Sequence, residues 1–204
     1  MAVDPSLTCS GWAIFSVRDE KLCSIGTIKG APPSHPMPER LLGIQRNIEA
    51  LCSKVGLGES DVLVCEAPTT VRDPHNALKV EQVRTIFESV ARSRSVTVPG
   101  RVNPRSVQYE VMGLRGKQLR RAEVKASAVK TVEFLYSACF ERLGLRKDGD
   151  SLKRYQDIVD AVLIGRLALT RLQAARDGDL PLEEMFRVAP QGARRSWRVK
   201  SCGI

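Results

Sequence analysis

Gln156-Asp157-Ile158-Val159-Asp160-Ala161-Val162-Leu163-Ile164 sets two carboxylates into an apolar run. Between residues 158 and 169 only Asp160, Gly165 and Arg166 break the apolar sequence. A run of that kind reads as a helix buried on most of its sides. Asp157 and Asp160 are three positions apart, so they share one face of this helix, a turn from each other. Ionised carboxylates in apolar surroundings cost several kcal/mol each unless compensated, and like charges one turn apart raise each other's proton affinity. A divalent cation would resolve both problems. The alternative is that Asp157 caps the helix and Asp160 faces solvent.

The choice between these readings depends on whether other carboxylates reach the same point. Two are candidates. Asp4 closes the short apolar stretch Ala2-Val3, and Glu66 closes Asp61-Val62-Leu63-Val64-Cys65-Glu66, whose continuous apolar centre suits a central strand covered on both faces. If these two strands are parallel neighbours, their carboxyl ends lie side by side at the sheet edge where α/β proteins bind ligands. Taken singly, Asp4 also fits an Asx-turn ahead of Pro5, and Glu66 a surface charge. Four oxygen ligands with no paired His or Cys select magnesium, or manganese, over zinc. Two such ions roughly 4 Å apart would suit in-line phosphoryl displacement.

The rest of the chain sets the frame. Its 204 residues form one domain or one domain with a tail, and at 43% hydrophobic they can bury a core. Thirty-two Lys and Arg against 23 Asp and Glu give a net charge of +9, which favours a polyanionic partner, most often nucleic acid. No apolar run is long enough to span a membrane, and no signal peptide precedes Asp4-Pro5. Six cysteines without C-x-x-C spacing, several of them in apolar runs, suit reduced thiols in a cytoplasmic protein.

In chain order, strands are expected at 12–17 and 22–28, joined as a hairpin, and the Pro-rich segment 29–38 is a loop. A helix follows to Gly56 through Leu41, Ile44, Ile48, Leu51, Cys52 and Val55. After the strand at 61–66 come an amphipathic helix at 76–94, a brief strand at 96–98 and a short helix from Pro104 to Met112. A long basic helix over about 119–143 precedes the opening helix. This order makes an α/β fold, a mixed five-stranded sheet with helices on both faces. The central strand ending at Asp4 has only three residues before it, so either that strand is short or the native chain starts upstream. We expect the domain to occupy 1–176, with 177–204 as a basic and mobile C-terminal tail.

Several segments together resemble one family. Val3-Asp4-Pro5-Ser6-Leu7-Thr8 with Ser10-Gly11-Trp12-Ala13 is similar to the opening of RuvC-type Holliday junction resolvases, which are crossover-junction endonucleases with the RNase H-like fold. The likeness continues through Val64-Cys65-Glu66, Asn76-Ala77-Leu78-Lys79 with Gln82 and Arg84, Pro104-Arg105-Ser106-Val107 and Ala122-Glu123-Val124-Lys125. It ends at Asp157-Ile158-Val159-Asp160-Ala161-Val162, so it covers about residues 2–170.

The resemblance implies a homodimer that binds branched, four-way DNA and nicks two strands symmetrically with magnesium. Asp4, Glu66, Asp157 and Asp160 fall on the family's metal-binding carboxylates. The helix at 76–94 falls where the family dimerises, which points to Leu78, Gln82, Val83 and Phe87, and Lys117 and Lys125 fall in its DNA-contacting segment. There are departures. The loop after Glu66 carries no aromatic residue, so a junction-opening role would move to Val71 or Arg72. Gln108 stands where a lysine is common, and the tail outruns the family's usual end.

Arg115, Lys117, Arg120, Arg121 and Lys125 cluster at a Gly-containing loop and helix start, either as a DNA-binding surface together with Arg72 or as a solvated basic face. His35 and His75 read as surface residues, because a carboxylate–metal scheme needs no His base. Two other functions fit the same residues: an RNase H-like nuclease acting on other branched DNA or on RNA, and a non-catalytic basic nucleic-acid binding module. A branch-migration partner stays open.

Overall fold

The protein is described by a computed structural model covering residues 1–68, 73–114, 119–145 and 152–187. Val71, Arg72, Arg115 and Lys117, and the end of the expected tail from 188 onward, lie outside the described residues.

Five strands form one sheet: β1 (Ala2–Asp4), β2 (Cys9–Ser16), β3 (Lys21–Lys29), β4 (Val64–Glu66) and β5 (Arg101–Val102), in the order β3-β2-β1-β4-β5. β1, β2 and β3 pair antiparallel, whereas β4 runs parallel to both β1 and β5. The mixed five-stranded α/β sheet is therefore as expected. So is the parallel pairing that sets the carboxyl ends of β1 and β4 side by side, with Ala2 opposite Val64 and Val3 opposite Cys65. The central strand is short, only three residues. The fifth strand is displaced from the expected 96–98. Thr97 makes only an isolated bridge to Val62, and the paired residues are Arg101 and Val102, beyond the Pro99-Gly100 break.

The helices cover both faces. On one side, α1 (Met37–Val55) and α2 (Pro74–Arg92) bury Ile44, Ile48, Cys52, Val83, Phe87 and Val90 against Val3, Trp12, Leu63 and Cys65. The α2 helix starts two residues earlier than its apolar period suggests. Asp73 caps it, accepting from the main-chain N–H groups of His75 (3.0 Å) and Asn76 (3.2 Å), and Pro74 occupies the first turn.

On the other side lie α4 (Arg121–Arg142), α5 (Gln156–Asp177) and α6 (Leu182–Phe186). Between α2 and α4, a short α3 (Pro104–Ser106) runs on into a π-helical turn at Val107–Val111. The α5 helix is buried nearly all round, with Ile158, Val159, Val162, Leu163, Ile164 and Leu167 in the core, because the sheet lies on one side and α4 and α6 on the other. Two glycines permit this approach. A Cβ at Gly11 would sit 1.8 Å from the main-chain oxygen of Asp157, and one at Gly165 would sit 2.2 Å from the Phe15 ring.

The α6 helix lies on the tail side of the boundary expected at 176. Its Phe186 is 1% exposed and belongs to the same core, so the folded unit extends through it. The described cysteines are all free. Among the described residues no helix is long and apolar enough to cross a membrane.

Candidate active site

Strand polarity, not local sequence, brings the acidic residues together. The parallel β1 and β4 both end on a carboxylate, Asp4 and Glu66, at the same edge of the sheet. The α5 helix crosses β1 and β2 with its first turn at that edge, which carries Asp157 and Asp160 there. Asp4, Glu66 and Asp160 line one cleft of about 680 Å³ with Arg84, Gln108, Arg121 and Lys125. All four carboxylates are half-buried.

Their electrostatics show how close they stand. Asp4 is pushed well above the ordinary carboxylate range, first by burial and then by the charges of Glu66, Asp160 and Asp157. Glu66 is pushed up to about 7 by burial and by Asp160, against the opposing pull of Arg84 and of a hydrogen bond from Asp4. The two carboxyls thus favour opposite states, the contact between them raising Asp4 and lowering Glu66. Asp160 is also raised, mainly by burial, while a hydrogen bond from Gln156 and the charges of Lys125 and Arg121 hold the shift down. Asp4 feels the charges of the other three, and Asp160 lines the cleft half-buried beside it, which excludes the reading of Asp160 as a solvent-facing residue.

The donor set suits a hard divalent cation, since it is made of carboxylate oxygens whose mutual repulsion and burial leave them short of positive charge. As placed, no three His, Cys, Asp or Glu side chains among the described residues stand close enough together to enclose an ion.

The basic candidates divide. Arg121 and Lys125, exposed on the first turns of α4, line the cleft. Arg120 is tied up in capping that helix: its main-chain N–H bonds Glu123 (2.8 Å) and its guanidinium pairs with the same carboxylate (3.0 Å). The dimer candidates need correction. Val83 (0% exposed) and Phe87 (1%) are buried in the chain's own core against the sheet, so they offer no surface to a second copy. Leu78 (65% exposed) and Gln82 lie on the outer stripe of α2, which continues through Thr85 and Ser89. The apolar period at 76–94 marked the inner face of the helix, and an outer face has to be read from its complement.

Three neighbours of the carboxylates were not assigned a role from sequence. Gln156 donates to Asp160 (2.9 Å) across one helical turn, and its i, i+4 spacing was a legible signal. Arg84 reaches the site from α2. The Cys9 thiol hydrogen-bonds Asp157, and burial together with that carboxylate pushes its pKa up. Nothing local in the sequence announces either of these last two contacts.

No protein-family model matches the chain, and no curated protein does. Solved structures do. A Thermus thermophilus RuvC in complex with Holliday junction substrate superposes with a TM-score of 0.61 at 19% identity, covering 87% of this chain and 94% of that one. A second Thermus thermophilus RuvC structure gives a TM-score of 0.59 at 20% identity, covering 87% and 95%. The likeness runs over most of both chains, and the polypeptide has the α/β, RNase H-like fold of RuvC.

Proposed function

We propose that this protein is a divalent-metal-dependent endodeoxyribonuclease that resolves four-way DNA junctions as a homodimer, by paired symmetric nicks. The observation that carries the reading is the placement of Asp4, Glu66 and Asp160 together in a cleft at the carboxyl ends of β1 and β4, with Asp157 one turn away on α5 and Lys125 and Arg121 in the same lining. Structural carboxylates have no reason to gather where each destabilises the others, whereas metal ligands do. The similarity to a Thermus thermophilus RuvC in complex with Holliday junction substrate supports branched DNA as the substrate class.

In this reading Asp4, Glu66, Asp157 and Asp160 hold magnesium or manganese. When bound, a pair of such ions supplies Lewis acidity to both the attacking and the leaving oxygen of an in-line phosphodiester displacement. The chain's own groups do the rest. A metal would be held by the ionised Glu66, so ion affinity should fall below about pH 7, where that carboxyl takes up a proton. Arg121 and Lys125 draw DNA phosphates to the mouth of the cleft, and Arg72, Arg115, Lys117 and Arg120 would extend that basic surface. The outer stripe of α2, with Leu78 and Gln82, would meet its twin in the dimer. The basic residues of 177–204 add to the attraction for DNA, and the free cysteines suit a cytoplasmic location.

The test is cleavage of a synthetic four-way junction beside flap, duplex and RNA substrates, with magnesium and with chelator, mapped to the nucleotide. Paired nicks at symmetric positions on the junction, together with a dimeric mass in sedimentation, are expected. Asp4→Asn, Glu66→Gln and Asp160→Asn should each cut roughly 10²–10³-fold more slowly or not at all, while still binding the junction as well as the wild type or better, since anionic repulsion is relieved. Full activity in all three would reduce the protein to a basic binding module. Preference for flap or RNA would keep the nuclease and change its substrate.

A further inference from the structure

Arg84 is among the largest fully buried side chains of the described residues, 1% exposed, and it sits in the wall of the carboxylate cleft. A guanidinium in that position costs several kcal/mol unless its donors are used. They are used in a specific way. Nε donates to the main-chain carbonyl of Glu66 at 2.6 Å, and Nη1 pairs with Glu81 one turn earlier on α2. Glu81 in turn accepts from Arg101 Nη1 (2.8 Å), and Arg101 is clamped on its other side by Glu88 through two bonds (2.7 and 3.1 Å). Arg101 lies on β5, the strand that flanks β4 and pairs with Cys65.

Charges therefore alternate from α2 to β5 and back, and the chain ends on the backbone of a single residue, Glu66. That residue closes a three-residue strand beside a two-residue one, so the sheet ladder alone fixes it weakly. We propose that Arg84 is a positioning residue of the carboxylate centre, holding the Glu66 end of β4 through its main chain while Glu81 and Arg101 hold Arg84. Arg84 touches neither ion nor DNA in this scheme; it fixes where the Glu66 carboxylate can reach. The inference rests on the metal-nuclease reading, because a misplaced Glu66 matters only if that carboxylate ligates.

The test uses the full chain, with Mn²⁺ as the probe. Binding is read without DNA from the electron paramagnetic resonance of free Mn²⁺, and junction cleavage is measured in parallel. Arg84→Met keeps the bulk but drops the donors. It should weaken Mn²⁺ binding and lower kcat by about 10- to 100-fold, as loss of a supporting partner around a metal typically does, with KM for the junction unchanged. Arg84→Lys, which restores the pair with Glu81 but not both bonds together, should recover part of the loss. Glu81→Gln, which leaves Arg84 present but loosely held, should fall between wild type and Arg84→Met.

The carbonyl ¹³C resonance of Glu66 in the metal-free protein reports the placement directly and should move in the same order. Should Arg84→Met not fold, Arg84→Lys and Glu81→Gln carry the comparison. Folded variants with wild-type Mn²⁺ affinity and an unmoved Glu66 resonance overturn the inference and leave the nuclease reading standing. A wild type that binds no Mn²⁺ and cuts no junction, while the Glu66 resonance still moves in the variants, overturns the nuclease reading and retains the positioning contact.

Discussion

Glu66 shows what concentrating acid at one point does to stability. Its ordinary value of 4.5 rises to about 7 in the fold, through burial first and Asp160 second. Between those values the folded chain holds a proton that the unfolded chain releases. The stabilisation is complete below pH 4.5 and is lost as pH climbs to about 7. A shift of that size corresponds to roughly 3 kcal/mol, and coupling to Asp4 spreads it over the pair. The comparison that isolates the carboxylate is therefore wild type against Glu66→Gln, which keeps the shape and cannot ionise. In chelator, urea unfolding should show Glu66→Gln gaining about 2–3 kcal/mol on wild type between pH 5 and pH 8. Parallel pH curves would show that Glu66 ionises freely in the fold. Magnesium at pH 8 should then stabilise wild type more than the variant, because only the former offers the full ligand set.

The α5 helix carries half of the acidic residues, and its placement depends on what is missing from the strand beneath it. Gly11 of β2 pairs with Asp4 of β1, and its bare Cα allows the Asp157 carbonyl within 1.8 Å of where a methyl group would be. The obstacle is main chain on both sides, so no rotamer change relieves it. Gly11→Ala must push the first turn of α5 off the sheet, and overpacking of this kind costs about 1–3 kcal/mol. Because the turn that moves bears Asp157, cleavage should fall even in a variant that remains folded at assay temperature. A lowered urea midpoint with wild-type kcat would show that the helix start need not be so close. The acidic turn of α5 was legible in the sequence because Asp157 and Asp160 disrupt an otherwise apolar period. Glu66 was legible because it ends a continuous apolar strand. The outer face of α2 and the true fifth strand were not legible. Val83 and Phe87 look alike whether an apolar stripe meets the chain's own sheet or a second copy, and Arg101-Val102 is too short to carry a period of two. The contacts of Arg84 and Cys9 span segments with no local pattern linking them, and only the folded topology creates them.

At the scale of the whole molecule, a net charge of +9 coexists with a cleft whose carboxylates are pushed above their ordinary range by burial and by one another. The two tendencies separate in space. Acid collects at the carboxyl ends of β1 and β4, and the exposed described cations that line the same cleft, Arg121 and Lys125, stand on the first turns of α4. Under the proposed function a polyanion would be drawn in by the rim and repelled by the floor until divalent ions neutralise the latter, so binding and cleavage should respond to different residues. DNA binding with displacement of condensed counterions makes the logarithm of affinity fall linearly with the logarithm of salt, by about 0.9 for each phosphate neutralised on a duplex arm. Arg121→Gln and Lys125→Gln should each weaken junction binding and reduce that slope by about 0.9, and the double variant by close to twice as much if the side chains act on separate phosphates. Both should weaken duplex and junction alike, since contacts of this type position the DNA without reading it. Fluorescence anisotropy of labelled junction and duplex, titrated over a series of salt concentrations in chelator, gives the slopes. A double variant with the wild-type slope would take the start of α4 out of the DNA interface and shift the attraction to basic residues elsewhere on the chain.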